Sequence, residues 1–307
     1  MSNTDSAIVE KINRLKKEKN AIIVAHYYQL GETQDIADIV GDALEMTRFA
    51  AGADAKVIIV GGVTCMAETI KLACPEKTVI LPDLNAGCTL SNMISLKRLP
   101  TRKEQYPNAT VVCYMNTTPE VKTEVDICYG EDEAVDLIRE LPSDDEIMFI
   151  PDQYMGDFVA TKTGKELILW PGYCSPIVKI RAEDVKDRKE EHPDAKVVAH
   201  IECIPQVKLL ADLVTSTNGM VRFAQETDAK EIIVATEVGI IHYLQKENPD
   251  KTFIAASELG ECATMKLVTQ ETILWSLENM SPVIEIPDDI LTKAKPVVDA
   301  MLARTKS

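Results

Sequence analysis

Three cysteines recur along this chain at nearly constant intervals. Cys88, Cys174 and Cys262 are 86 and 88 positions apart, and each follows a short apolar run by a few residues. Three thiolates brought to one place suit a [4Fe–4S] cluster in which one iron has no protein ligand. Such an iron is a Lewis acid for a substrate oxygen. The spacing therefore favours an iron–sulfur centre over the alternative, in which the cysteines are small core residues.

A second series of polar residues keeps the same period. His26, Tyr114 and His200 are 88 and 86 positions apart, and each ends an apolar run that opens its part of the chain. Two interleaved series with one period indicate a tripled structural unit with equivalent chemistry in each copy. Such repetition outweighs any single motif as a guide to the fold.

Nine apolar runs provide the elements that must position these residues. Each third of the chain holds three runs rich in Val and Ile, a composition typical of strands buried on both faces of a parallel sheet. The runs are AIIVAHYY, KVIIVGG, TVILPD, TVVCYMN, IMFIPD, LILWPG, KVVAHIEC, EIIVATE and TFIAAS. The segments between these runs have apolar residues at helical spacing. We therefore expect an α/β protein of three pseudo-equivalent, three-layer αβα domains. Ligands bind beyond the carboxyl ends of parallel strands, which predicts a central cavity on a pseudo-threefold axis.

The repeat also sets the expected domain boundaries. We expect domains at 1–105, 106–190 and 191–284, with a final helix at 285–307 that packs back on the first domain. Within the first domain, the segment QDIADIVGDALEMTRFAAGA (34–53) has apolar residues at helical spacing and a glycine near its end. This pattern predicts one continuous helix.

Composition excludes several classes of function. The 307 residues carry a formal net charge of −16, which opposes binding to nucleic acid. No apolar stretch is long enough to span a bilayer, and the N-terminal segment lacks the apolar core of a signal peptide. Eight cysteines without a CxxC spacing argue against a zinc ribbon or a disulfide scaffold. We therefore expect a cytoplasmic protein that acts on small molecules, without a membrane or a nucleic acid as partner.

Seven segments resemble one enzyme family and together cover nearly the whole chain. They are AHYYQ, GGVTCMAETIKLACPEKTVILPDLNAGC, YMNTTPEVK, KTGKELILWPGYC, HIEC, ATEVGIIHYLQKENPDKTF and CATMKL. The family is quinolinate synthase. The resemblance implies three αβα domains around a central cavity and a [4Fe–4S] cluster on the three periodic cysteines. It also implies condensation of iminoaspartate with dihydroxyacetone phosphate, with loss of phosphate and water, to give quinolinate for NAD synthesis. An L-aspartate oxidase or dehydrogenase would then supply the iminoaspartate.

The resemblance also implies roles for single residues. By position it assigns catalytic roles to His26, Tyr28, His200 and Glu202, and substrate contacts to Tyr114, Asn116, Thr217 and Met265. The residue types suit the chemistry. A carboxyl group at position 202 can move protons between an imine and an enamine, while tyrosine and histidine can donate to a developing oxyanion.

Some segments depart from the family pattern. The family usually has serine where this chain has Ala43, and a Ser/Thr-rich stretch where it has the acidic CYGEDEA (128–134). It also usually has proline–threonine–histidine in place of Ser175-Pro176-Ile177 and proline in place of Ile201. Acidic residues oppose phosphate binding, which needs hydroxyls, amides and positive potential. Two hypotheses follow: a divergent quinolinate synthase, or a paralogue that keeps the cluster but acts on a different, non-phosphorylated substrate. A third, remote alternative is a non-catalytic iron–sulfur sensor.

Overall fold

The computed structural model describes residues 3–304 and contains three sheets, each of four parallel strands. In every sheet the second strand of the unit lies at one edge, followed by the first, the third and the fourth. The predicted fold class, three α/β units with parallel sheets, is confirmed. Residues 1–2 and 305–307 of the predicted terminal segments lie outside the described residues.

The first unit begins with a long helix, and the last helix before the second sheet packs Leu99 into the core of that second sheet. The strands of the first unit are β1 (Ala21–His26), β2 (Ile39–Gly41), β3 (Val57–Gly61) and β4 (Thr78–Ile80). Its helices are α1 (Asn3–Lys19), α2 (Gly31–Asp35), α3 (Ala43–Gly52), α4 (Thr64–Ala73) and α5 (Arg98–Gln105). All residues of β3 are buried, as expected for a central parallel strand covered by helices on both faces.

The second unit repeats this order with shorter helices. Its strands are β5 (Thr110–Tyr114), β6 (Ile127–Tyr129), β7 (Ile147–Ile150) and β8 (Ile168–Leu169). The helices that follow its strands are α6 (Pro119–Lys122), α7 (Ala134–Glu140), α8 (Gln153–Thr163), α9 (Ser175–Val178) and α10 (Ala182–Glu191), the last of which packs against the third sheet. A 3₁₀ turn, Glu131–Glu133, joins β6 to α7.

The third unit is followed by two helices. Its strands are β9 (Lys196–His200), β10 (Leu213–Thr215), β11 (Glu231–Ala235) and β12 (Thr252–Ala255). The helices are α11 (Pro205–Lys208), α12 (Thr217–Glu226), α13 (Ile240–Glu247), α14 (Gln270–Asn279) and α15 (Asp288–Ala303). Helix α15 contacts α4 of the first unit and both α6 and β6 of the second. The domain boundaries themselves stay predictions.

The single helix predicted over 34–53 is wrong. Helix α2 ends at Asp35, the strand β2 pairs with β1, and α3 begins at Ala43. A capping box explains why α3 begins at Ala43. The Asp42 carboxylate accepts the backbone N–H of Glu45 (2.8 Å), and the backbone N–H of Asp42 donates to the Glu45 carboxylate (3.2 Å). The corresponding short strands β6 and β10 were also absent from the nine predicted runs.

Two further sets of residues follow the 88- and 86-residue period. Aspartates at the start of each second strand accept a backbone N–H from the first strand; the pairs are Asp38 with Ile23 (2.7 Å), Asp126 with Val111 (2.8 Å) and Asp212 with Val197 (2.8 Å). Lys77, Lys165 and Lys251 donate to carbonyl groups at the end of a helix in their own unit. Such carbonyls lack partners within the helix, so in each unit a lysine side chain caps the C-terminus of one helix.

None of the helices described over residues 3–304 is both long and apolar enough to cross a membrane.

Candidate active site

One cavity between the three units is lined by all eleven residues singled out from the sequence. They are His26, Tyr28, Cys88, Tyr114, Asn116, Cys174, His200, Glu202, Thr217, Cys262 and Met265. Most of them lie at or just beyond the carboxyl ends of strands, where parallel sheets bind ligands. The structure therefore brings the residues together, while the role of each one remains a prediction.

The two cavity histidines are held in the same way. His26 ends β1 and His200 ends β9, and in each ring Nδ1 accepts the backbone N–H two residues later, from Tyr28 (3.1 Å) and Glu202 (3.2 Å). A neutral ring held so carries its proton on Nε2 and is a hydrogen-bond donor there. Burial lowers the pKa of His26 to about 3, helped by the charges of Lys266 and His200. His26 is therefore neutral at pH 7.

Two tyrosines on the cavity wall supply further donors. Tyr28 Oη lies 2.8 Å from Thr236 Oγ1 and 3.2 Å from Thr217 Oγ1, while Tyr114 Oη accepts the side-chain amide of Asn116 (2.9 Å). Burial, and then the Glu131 carboxylate, raise the pKa of Tyr28 and of Tyr114 well above the usual range. Both phenols therefore keep their protons, and Tyr114 can donate its own to a ligand.

Glu202 is a buried carboxyl group at the wall of the cavity. Burial raises the pKa of Glu202 well above the usual range, and the charges of Asp152 and Glu131 raise it further. Its Oε2 lies 3.7 Å from Nδ1 of His200. The raised pKa favours the protonated form of Glu202, in which the side chain can serve as a proton donor.

The three periodic cysteines lie on loops that follow the fourth strand of each sheet. Two fully buried carboxylates fix two of these loops: Asp152 accepts the backbone N–H of Cys174 (3.1 Å), and Glu237 accepts that of Cys262 (2.9 Å). The loops of the first and third units are joined directly, since Thr264 Oγ1 donates to the carbonyl of Gly87 (2.7 Å). The backbone around the three thiols is therefore held in place from several directions.

Three thiols that line one cavity are a donor set that suits an iron–sulfur cluster. All three are partly buried and line the same cavity. Burial raises the pKa of the Cys174 thiol, with smaller contributions from Glu202, Cys88 and Cys262, which places the cysteines within electrostatic range of one another. Yet over residues 3–304 no three His, Cys, Asp or Glu side chains form a site for one metal ion. A cluster of four irons accepts thiolates at separate corners, so its ligands need not meet at one point.

The three acidic residues of the altered segment point in different directions. Glu131 lines the cavity. Asp132 pairs with Arg222 (3.1 Å) and Glu133 with Arg48 (3.0 Å). Among the described residues that line the cavity, none is a lysine or an arginine. One carboxylate of the three therefore enters the candidate site without a cationic side chain on its wall.

The other departures from the family pattern lie at different depths. Ala43 begins α3 and is buried in the core shared by the first and second units, as is Ile201. Pro176, which follows the second periodic cysteine, lines the cavity. The altered positions are thus divided between the cavity wall and the packing behind it.

Sequence reasoning missed two residues that act on the cysteines. Asp152, described above, follows the run IMFIP, and its place directly after a strand was the only available signal. The other is Cys65, a buried cysteine that is the largest cause by which the pKa of Cys88 is lowered to about 7. Glu237, which follows the end of β11, holds the Cys262 loop.

Together, three equivalent α/β units around a cavity lined by three cysteines, two tyrosines and two acidic side chains define a pseudo-threefold α/β enzyme. Comparison with known proteins narrows this class. The family model described as "Quinolinate synthetase A protein" matches residues 10–303. The chain belongs to the quinolinate synthase family.

Named relatives match over almost their full length. The chain is 50% identical over 295 residues to "Quinolinate synthase" of Dehalococcoides mccartyi strain CBDB1, covering 96% of this chain and 97% of that protein. It is 44% identical over 295 residues to the protein of the same name in Thermodesulfovibrio yellowstonii, with 96% and 97% covered. For that of Methanosarcina barkeri the identity is 42% over 296 residues, again with 96% and 97% covered.

Proposed function

We propose that this chain is a [4Fe–4S]-dependent quinolinate synthase, which condenses iminoaspartate with dihydroxyacetone phosphate and releases phosphate and water. The observation that carries the proposal is the convergence of eleven side chains from all three units on one cavity. The relatives named quinolinate synthase, which match nearly the whole chain, support it. The product would enter NAD synthesis, and an enzyme that oxidises L-aspartate would supply the iminoaspartate.

Cys88, Cys174 and Cys262 would hold the cluster through their thiolates. When bound, such a cluster supplies a Lewis-acidic iron for a substrate oxygen. The loops around the thiols are braced by Asp152 and Glu237, whose hydrogen bonds keep the cysteine backbone in place. This bracing favours a site that is shaped before the cluster arrives.

The remaining cavity residues suit proton transfer in a condensation. Burial raises the pKa of Glu202, which favours the protonated form that can protonate a leaving hydroxyl or the nitrogen of an imine. Nε2 of His26 and the phenol of Tyr114 are neutral donors for an oxygen that gains negative charge. Asn116 Oδ1 is buried without a partner among the described residues and is available as an acceptor.

An anaerobic assay tests the proposal. The protein is reconstituted with iron and sulfide, its cluster content is measured, and it is supplied with dihydroxyacetone phosphate and iminoaspartate made in situ. Formation of quinolinate supports the proposal. A protein that holds a full cluster and yet forms no quinolinate contradicts it.

A second candidate is a paralogue that retains the cluster and acts on a different, non-phosphorylated substrate. The Glu131 side chain in a cavity without lysine or arginine on its wall favours this alternative. The same assay separates the two, since the paralogue would hold a full cluster and give no quinolinate. A non-catalytic sensor would have no use for the Glu202 side chain and the donors around it.

A further inference from the structure

Glu131 occupies a position that is repeated in the other two units. Ala43, Glu131 and Thr217 are 88 and 86 residues apart, and each follows the second strand of its sheet as the first residue of a helix or 3₁₀ turn. Only the second unit places a charged side chain there. The Glu131 side chain is buried, with 6% of the residue exposed, although it lies at the wall of the ligand cavity.

The Glu131 carboxylate is bound at the start of α12. Its Oε2 accepts the backbone N–H of Thr217 (3.3 Å) and the hydroxyl of the same residue (3.1 Å). A helix N-terminus with free N–H groups and a hydroxyl favours an anion from a ligand. Here a side chain of the protein itself takes that position.

The second oxygen of Glu131 keeps the capacity to accept a hydrogen bond. Oε1 is in contact with Nε2 of His200, the nitrogen that carries the proton of the neutral ring, and its second lone pair is left for another donor. A buried carboxylate oxygen in this state is stabilised by a donor, and a ligand in the cavity can supply one. The site therefore presents an acceptor where a helix N-terminus would otherwise present donors.

The surrounding charges strengthen this preference. Arg222 pairs with Asp132, and Arg48 with Glu133, so these arginines are engaged outside the cavity. Lys266 is likewise engaged, with Glu237 (3.0 Å). A phosphate or carboxylate beside Glu131 would meet a like charge in a buried place with no cation on the wall to offset it.

We propose that Glu131 is the specificity-determining residue of the cavity: its carboxylate excludes an anionic group from the start of α12 and accepts a hydroxyl or N–H group of the substrate instead. The proposal rests on the function proposed above, in that the same cavity receives the substrates. For dihydroxyacetone phosphate, the hydroxyl end rather than the phosphate end would then face α12. For the paralogue, the substrate would be a neutral or cationic molecule at this point.

The test uses inorganic phosphate as the probe and the anaerobic, cluster-loaded protein. Calorimetric titration compares the wild type with Glu131→Ser, which removes the carboxylate and leaves a hydroxyl. We expect phosphate to bind the variant about tenfold more tightly or better, the effect of removing one adjacent like charge from a buried site. Glu133→Gln is the matched control, because it removes the same charge from a carboxylate that points to Arg48, outside the cavity.

Two results would overturn the proposal. One is a wild type that binds phosphate as tightly as Glu131→Ser does. The other is an equal gain in Glu133→Gln, which would assign the effect to net charge alone. Should Glu131→Ser fail to fold, the nearly isosteric Glu131→Gln replaces it, with a gain in phosphate affinity again expected and an unchanged affinity again contradictory.

Quinolinate formation, measured on the same preparations, separates this inference from the proposed function. Wild-type turnover together with an unchanged phosphate affinity in Glu131→Ser would refute the inference and leave the function standing. A full cluster without turnover, together with the expected gain in affinity, would refute the function and support the inference.

Discussion

The carboxylate of Asp152 accepts the backbone N–H of Cys174 at 3.1 Å, although the two residues lie on different loops of the second unit. In the third unit Glu237 does the same for Cys262. The first unit uses another device, in which Thr64 donates its backbone N–H (2.7 Å) and its hydroxyl (3.1 Å) to the carbonyl of Ala86, two residues before Cys88. Each cysteine loop is thus tied to the end of the third strand of its sheet.

Replacing Asp152 should loosen the second cysteine loop. Its two oxygens accept three backbone N–H groups, from Tyr154, Met155 and Cys174, and the single amide oxygen of Asp152→Asn cannot serve all three. We expect a loss of about 1–3 kcal/mol in the free energy of unfolding. Iron should also be released to a chelator faster than from the wild type.

Asp126→Asn is the control for this experiment. Asp126 belongs to the same unit and accepts a strand N–H from Val111, away from the cysteines. It should lower stability without accelerating iron release beyond what its stability loss explains. Equal rates of iron release from both variants would contradict a specific role for Asp152.

Removal of one periodic cysteine should prevent assembly of an intact cluster. Cys88→Ala leaves two of the three proposed thiolate ligands, so we expect loss of visible absorbance, of bound iron and sulfide, and of quinolinate formation. Cys203→Ala is the control, since Cys203 is buried in the core of the third unit and donates to the carbonyl of Ala235. A full cluster in Cys88→Ala would refute the ligand assignment.

Stability should depend on pH through Asp42. Burial raises the pKa of this carboxyl to about 7, so between its unfolded pKa near 3.8 and about 7 the folded state binds more protons than the unfolded state. The free energy of unfolding therefore falls as pH rises through this window, by at most about 1.4 kcal/mol per pH unit for one proton. Asp42→Asn, which can still cap α3, should lose less stability across the same window.

Thermal unfolding of both proteins at a series of pH values would measure this difference. The exposed Asp54, replaced by Asn, is the control and should follow the wild-type curve. Parallel curves for wild type and Asp42→Asn would show that Asp42 does not hold the extra proton.

The lysines that cap helix C-termini should contribute to stability. Lys77 Nζ donates to the carbonyls of Ala50 (2.7 Å), Ala51 (3.2 Å) and Ala53 (2.6 Å) at the end of α3. Lys77→Met leaves these carbonyls without their charged donor, and we expect a loss of about 1–3 kcal/mol in the free energy of unfolding. The exposed Lys56→Met should change it by less than about 0.5 kcal/mol. Equal effects in denaturant titrations would refute the assigned role of Lys77.

The repeat made most of this fold predictable, and its limits have physical causes. The periodic cysteines and the periodic His and Tyr residues share one period, which predicts three equivalent structural units. The structure contains three parallel sheets with the same strand order. Strand β2, with the three residues Ile39–Gly41, was missed because so short a run fits the helical pattern around it equally well. The capping box at Asp42 distinguishes a short strand followed by a new helix from one continuous helix, but it can be recognised only once the helix start is known.

The direction of single side chains could not be inferred in the same way. Glu131, Asp132 and Glu133 form a 3₁₀ turn, whose three residues per turn send consecutive side chains in three different directions. From composition alone the three carboxylates look equivalent, yet one faces the cavity and two face arginines. Asp152 was missed because the other two units have Thr64 and Val238 at the corresponding positions, so no periodic series includes it.

The placement of Cys262 and α15 bears on when the site can come into existence. Ribosomal synthesis completes the first and second units, with Cys88 and Cys174, well before the third cysteine has been made. Helix α15, which contacts α4, α6 and β6, follows later still. A nascent chain therefore exposes two incomplete thirds of a cavity, and a cluster has its full set of thiolates only after translation of the third unit. Insertion of the proposed cluster into its full set of thiolates would for this reason follow synthesis of the third unit.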